Sequence, residues 1–168
     1  MGINGIEMVD KNQIRYIQFD SFRKYEKILT HCFTTRNFGV STDEYSSLNM
    51  GFKTDDKREN VLENFKRVTD ALGISIDNIV LSDQVHDTKI KVVDESDRGK
   101  GITRESDIRG YDGLMTNARG VALVTFYADC VPVFLFDPKK KAIALVHSGW
   151  RGTVGKIADN AVKMMNEV

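Results

Sequence analysis

A chain of 168 residues is long enough to bury one core, and its 24 basic side chains are balanced by 24 acidic ones. With no net charge it lacks the bulk attraction that captures nucleic acid or a membrane surface, and small molecules and proteins remain as partners. Apolar residues at 41% and charged residues at 29% match a water-soluble globular protein, so a single domain over residues 1 to 168 is expected.

The start, "MGINGIEMVDKNQIRYIQF", has no basic stretch leading into an apolar run, and no signal peptide is expected. No stretch approaches the roughly 20 apolar residues of a membrane span. Two cysteines, Cys32 and Cys130, make no disulfide framework, which points to a reducing cytoplasm.

In chain order, "QIRYIQF" alternates as a strand does, and "LTHCFTTR" reads as a second strand ending on Arg36. "NFGVSTDEYSSLNMGF" is loop by its Gly, Ser and Asn content. A helix follows, with Asp56 and Glu59 as a capping box, Val61, Leu62, Phe65, Val68 and Leu72 on one face, and Gly73 ending it. "NIVLSDQVH" is expected to be a strand reaching His86, and "TKIKVV" another. Residues 94 to 110 have no apolar period and read as an exposed, mobile loop. "VALVTFYADC" is apolar up to Asp129 and Cys130, as in a central strand buried on both faces. "PVFLF" and "AIALVH" follow as strands around a "DPKKK" turn, whose lysines 139 to 141 form a solvated tip. From Thr153 the spacing of Val154, Ile157, Ala158, Ala161, Val162 and Met165 predicts a helix. That pattern runs to Val168 with no cap, and a C-terminal part is expected to be missing. Without a regular βαβ rhythm the fold class is mixed α and β rather than doubly wound.

Chemistry concentrates where strands end. The chain has three histidines. His86 closes one predicted strand, Cys130 follows another, and His147 closes a third. Two imidazoles and a thiolate suit Zn²⁺ or copper, and three protein ligands leave one tetrahedral position open, as in catalytic zinc sites. The bland alternative is three separately satisfied residues, since cysteine is commonly a small buried hydrophobe. After His147, "SGWRGTVG" turns tightly toward a helix start with Arg151 beside it. This could hold an anion, or could serve only to pack helix on sheet with Trp150 in the core. Arg36 is a candidate for an anion or a carboxylate; Gln84 could orient a ligand or bond the backbone. Asp129 could be a general base or the partner of an imidazole. His31 and Cys32 read as structural.

Together "FTTRNFGVS", "SLNMGF", "SDQVH", "YDGLMT", "ADCVPVFLFD" and "HSGWRG" resemble the YfiH-type family, also labelled multicopper polyphenol oxidoreductase or laccase domain. The resemblance covers residues 28 to 165 and implies α+β architecture, with mixed sheets in an α/β/β/α sandwich. It places the metal ligands on His86, Cys130 and His147, and substrate or phosphate contacts on Arg36, Asn49, Gln84 and Arg151. It also implies phosphorolysis of adenosine, inosine and methylthioadenosine, and deamination of adenosine. Purine nucleosides and phosphate would then be the partners, with a homo-oligomer as a further option. Phe38-Gly39 replaces the family's usual glycine pair, Asp87 its glycine after QVH, and Tyr111-Asp112-Gly113 its Ala-Asp-Ala.

Ligand supply tests the oxidase label. Four-electron oxygen reduction by a multicopper oxidase takes many histidines, and of the three here two serve the single site. Copper-dependent polyphenol oxidation is disfavoured on that ground, although copper remains an alternative ion. Zinc suits the purine chemistry, with Asp129 and Cys130 as the catalytic candidates. A cysteine hydrolase is the other reading, with Cys130 as nucleophile, His147 as base, and Asp129 or Gln84 orienting the base.

Overall fold

A computed structural model describes residues 5–168; the first four residues of the stretch read as lacking a leader lie outside the described residues. The chain divides into two compact units, Met1–Ser75 and Ile76–Val168. Both mix helix and strand, the first around one small sheet and the second around two, in keeping with the expected fold class. Among the described residues no helix is long and apolar enough to cross a membrane.

In the first unit β1 (Ile6–Lys11) and β2 (Ile14–Phe19) form an antiparallel hairpin, followed by the short helix α1 (Asp20–Arg23). The next strand, β3 (Phe33–Thr34), pairs with β2 but is only two residues long, far shorter than "LTHCFTTR" suggests. Polar bonds take over on either side. The His31 ring stacks on Phe19 and accepts that residue's amide at 2.8 Å, while the Thr35 hydroxyl donates to the Arg15 carbonyl. Cys32 packs against the cluster of Ile14, Tyr16, Leu48, Val68 and Ala71, and burial pushes its thiol up to about 12.

Helix α2 (Arg58–Leu72) ends at Gly73, which takes the left-handed conformation at φ 71° that glycine adopts without steric penalty. Its start departs from the expected capping box. The N-cap is Lys57, and the Asp56 carboxylate instead accepts from the Lys57 amide and the Asn49 and Asn60 side chains. Buried Asn64 ties the preceding loop to the helix, donating to Ser41 Oγ and the Asn49 carbonyl and accepting from the Val40 amide. Hydrogen bonds from Ser41 and Asn49, with smaller help from Asn60 and the Lys57 amide, hold the Asp56 carboxyl down to about 2. A carboxyl depressed on folding adds stability above its ordinary pKa and loses it as pH falls toward the folded value. The difference in urea midpoint between wild type and Asp56→Asn should therefore be constant above about pH 4 and shrink from there toward pH 2.

In the second unit β4 (Ile79–Leu81), β5 (Ile90–Val92), β6 (Gly113–Thr116), β7 (Ala122–Val124), β8 (Val131–Asp137) and β9 (Ala142–Ser148) make two sheets. β4 and β7 pair in parallel, and the larger sheet runs β5-β6-β9-β8. The stretch expected to form a central strand to Cys130 is thus a three-residue strand, half-buried in the two-stranded sheet. After Val124 the Phe126 backbone pairs with the Gln84 side chain instead of a neighbouring strand. Likewise the strand expected to reach His86 stops at Leu81. The β8–β9 hairpin and its exposed lysine tip match the sequence pattern; Asp137 accepts the Lys139 and Lys140 amides.

Residues 94 to 110 are anchored, contrary to the reading as a mobile loop. Ile102 and Ile108 are both 2% exposed, and Lys100 pairs with Asp97 and Asp107. Two apolar residues in a charged stretch are too few to register as a period, yet they suffice as plugs. The helix expected from Thr153 is two helices, α3 (Trp150–Val154) and α4 (Ile157–Glu167), broken where Lys156 takes φ 61°. Ile157, Ala161 and Met165 pack on Met115, Ala144 and Val146 of the sheet, while Val154 and Val162 are exposed.

Candidate functional site

Strand register gathers the site. β9 is a central strand, with β8 on one side and β6 on the other, and His147 is its penultimate residue. Pro132 of β8 pairs with His147 and Val131 with Ser148, so Cys130, the residue before β8, arrives beside Gly149. On the other side Gly113 of β6 pairs with Val146, and the His147 amide donates to the Asp112 carbonyl at 2.7 Å. The turn that carries His86 folds over Asp112, whose carboxylate accepts the amides of Val85, His86 and Asp87 at 2.8 to 3.1 Å.

The three expected ligands meet. One donor atom each from His86, Cys130 and His147 lies within 4.8 Å of the others, the only such grouping of three or more His, Cys, Asp or Glu side chains among the described residues. Donor atoms around one tetrahedral zinc are about 3.5 Å apart, given Zn–N near 2.0 Å and Zn–S near 2.3 Å. Closing the set asks for roughly an ångström of side-chain movement, which rotation of the exposed His86 can supply. The two imidazoles stand edge to face with ring centres 4.8 Å apart. Gly149 forms the floor of the site. A Cβ there would lie 3.2 Å from both Cys130 Sγ and His86 Cδ2, so the tight turn after His147 keeps this space free for the ligands.

Sequence reasoning missed Asp112. It is fully buried, and besides the three amides it holds His147 Nδ1 at 2.8 Å. The carboxylate partner of the imidazole, one of the roles open to Asp129, is this residue; Asp129 is exposed on a bend one position before Cys130. Burial raises the Asp112 pKa as the largest single effect. The bonds from the Asp87 amide, His147 and the Val85 and His86 amides together outweigh it and hold the carboxyl below its ordinary value.

Of the remaining candidates, Gln84 takes the second of its two readings. Its amide donates to the Phe126 carbonyl and accepts the Phe126 amide, both at 2.7 Å, fastening the loop before Asp129 and Cys130. Arg151 is exposed, with its guanidinium 5.1 Å from the centre of the Trp150 ring. Trp150 itself is 71% exposed and does not fill the core. Tyr127 stands with its ring 5.7 Å from that of His147. Burial pushes its phenol up to about 12, against a weaker opposing bond with Thr125, so at neutral pH it is a proton donor, to the Val146 carbonyl. Arg36 and Asn49 belong to the first unit. There Arg36 is exposed and donates to the Ser46 carbonyl, and the Asn49 side chain bonds Thr54, Asp56 and the Gly51 amide.

Residues 30–168 match the family described as Multi-copper polyphenol oxidoreductase laccase. Purine nucleoside phosphorylase YlmD of Bacillus subtilis is 38% identical over 136 residues, which are 80% of this chain and 49% of that protein. Adenosine deaminase RL5, from an unknown prokaryotic organism, is 35% identical over 133 residues, 79% of this chain and 51% of that protein. Among solved structures, Bacillus licheniformis YfiH superposes with a TM-score of 0.84 at 30% identity, over 96% of this chain and 58% of that one. YlmD of Geobacillus stearothermophilus gives 0.80 at 33% identity, over 89% and 55%. The chain spans about half the length of the curated relatives it matches.

Proposed function

Because the chain belongs to the Multi-copper polyphenol oxidoreductase laccase family, we propose that it serves a zinc-dependent purine nucleoside enzyme, cleaving nucleosides with phosphate and deaminating adenosine. The carrying observation is the convergence of His86, Cys130 and His147 within 4.8 Å. The relatives' names, purine nucleoside phosphorylase and adenosine deaminase, supply the substrate class. Two nitrogens and one sulfur fit zinc with a position to spare, and copper is the next candidate. When bound there, zinc supplies Lewis-acid chemistry at its open position.

The chain's own groups have separable tasks. Cys130 as thiolate and the two imidazoles would hold the ion, with Asp112 behind His147. Arg151, exposed beside the turn, offers a fork of donors for phosphate; Arg36 offers the same chemistry in the first unit. Asp129, exposed next to Cys130, is the residue we assign to proton transfer with the nucleoside. Gln84 secures the segment that carries Asp129 and Cys130, and Asn49 secures the loop after Arg36.

One observation favours a second reading. Cys130, His147 and Asp112 stand in the order nucleophile, base and orienting acid, as a cysteine hydrolase needs. Metal content separates the two. Protein purified without added metal should carry close to one zinc per chain and resist iodoacetamide at Cys130. With adenosine it should release adenine only when phosphate is present, and inosine with or without it. A metal-free protein whose Cys130 alkylates rapidly, and which leaves adenosine and inosine intact, would falsify the zinc reading in favour of the hydrolase.

A further inference from the structure

We infer that Asp112 is the positioning residue of the site, fixing the backbone of His86 and the ring of His147 before any ion arrives; as a statement about zinc this rests on the function proposed above. Its two oxygens divide the work. Oδ2 accepts the Val85 and Asp87 amides, while Oδ1 accepts the His86 amide and faces His147 Nδ1. Three successive amides converging on one carboxylate form an anion nest, and a nest requires a left-handed residue within it. That residue is His86 at φ 63°, a left-handed conformation that is unfavourable for a residue bearing a side chain. The buried carboxylate offsets this cost and so sets the position from which the His86 ring leaves the backbone.

At His147 the effect is on the proton. A carboxylate can only accept, so a neutral His147 must carry its hydrogen on Nδ1 and present a bare Nε2. The imidazole's lone pair therefore faces away from Asp112 and is available to a ligand in the metal-free protein.

Asp112→Asn makes this visible, because its amide has a preferred orientation. With its oxygen at the Oδ2 position, two amide bonds survive and one N–H opposes the His86 amide; the reverse orientation would oppose two amides. In the preferred orientation the Asn nitrogen donates to His147 Nδ1 and drives the proton to Nε2. The experiment is ¹⁵N NMR of the metal-free chain at pH 8, with the His147 signals identified by their loss in His147→Gln, joined to zinc titration against a competing chelator. Wild type should show the Nδ1–H form of His147. Asp112→Asn, with an unchanged circular dichroism spectrum, should show the Nε2–H form and bind zinc about 10–100-fold more weakly. An unaltered tautomer and zinc affinity in the folded variant overturn the inference. If the variant fails to fold, wild type decides alone, and an Nε2–H His147 there also overturns it. A wild type with the Nδ1–H tautomer but no affinity for zinc leaves the positioning role standing and removes the metal from the proposed function.

Discussion

Cys130→Ala should purify as a folded chain with almost no zinc, and phosphorolysis of adenosine should fall by more than the roughly 10–100-fold that loss of a group behind a ligand causes. In the proposed zinc site a Cys130 thiolate would be the one anionic donor of the three, so its removal would leave two neutral nitrogens and take away the charge that opposes the cation. Folding should be spared. Cys130 sits at a bend ahead of β8, only partly buried, and belongs to none of the core clusters found among the described residues. Cys130→Ser keeps an oxygen donor and should retain some metal at raised pH. Zinc per chain, measured in all three proteins after identical purification, is the deciding quantity. Full occupancy in Cys130→Ala would remove the cysteine from the ligand set.

Gly39→Ala should lose about 3 kcal/mol or more of stability, read as a lower urea midpoint with an unchanged slope. A β-carbon at this position would stand 2.0 Å from the Ser47 carbonyl oxygen and 2.4 Å from Leu48 Cα. These are backbone atoms and cannot rotate away. They are also held in place: the Ser47 and Leu48 amides both donate to the Arg36 carbonyl, and Ser47 O accepts the Ser41 amide. Gly51→Ala in the same loop is the control. There the nearest atoms are side-chain atoms at 3.4 Å, and the change should cost under about 1 kcal/mol. Similar losses at both positions would mean the loop yields more readily than its bonding indicates.

Legibility followed periodicity. The α2 helix, its glycine stop and the β8–β9 hairpin stand where the apolar spacing puts them, because packing alone decides those elements. Strand ends were overestimated wherever a side chain replaces a backbone partner, as Gln84 does for Phe126. The break at Lys156 escaped notice because the apolar spacing continues across it while the backbone does not. At the site, the two histidines and the cysteine were legible as scarce residue types at expected strand ends, although the strand before His86 stops at Leu81. Asp112 was not, since a buried acid and a surface acid look identical in sequence. What distinguishes this one is a set of amides, and amides belong to every residue.

The ligand register described for β8, β6 and β9 has a thermodynamic corollary. His86, Cys130 and His147 are scattered along the chain and become neighbours only through strand pairing and the amide bonds that hold the His86 turn on Asp112, so an unfolded chain offers no preformed chelate. An ion that binds there binds native molecules alone, and its affinity adds directly to the free energy of unfolding. Metal supply would then govern how much of the protein persists as well as how fast any of it turns over.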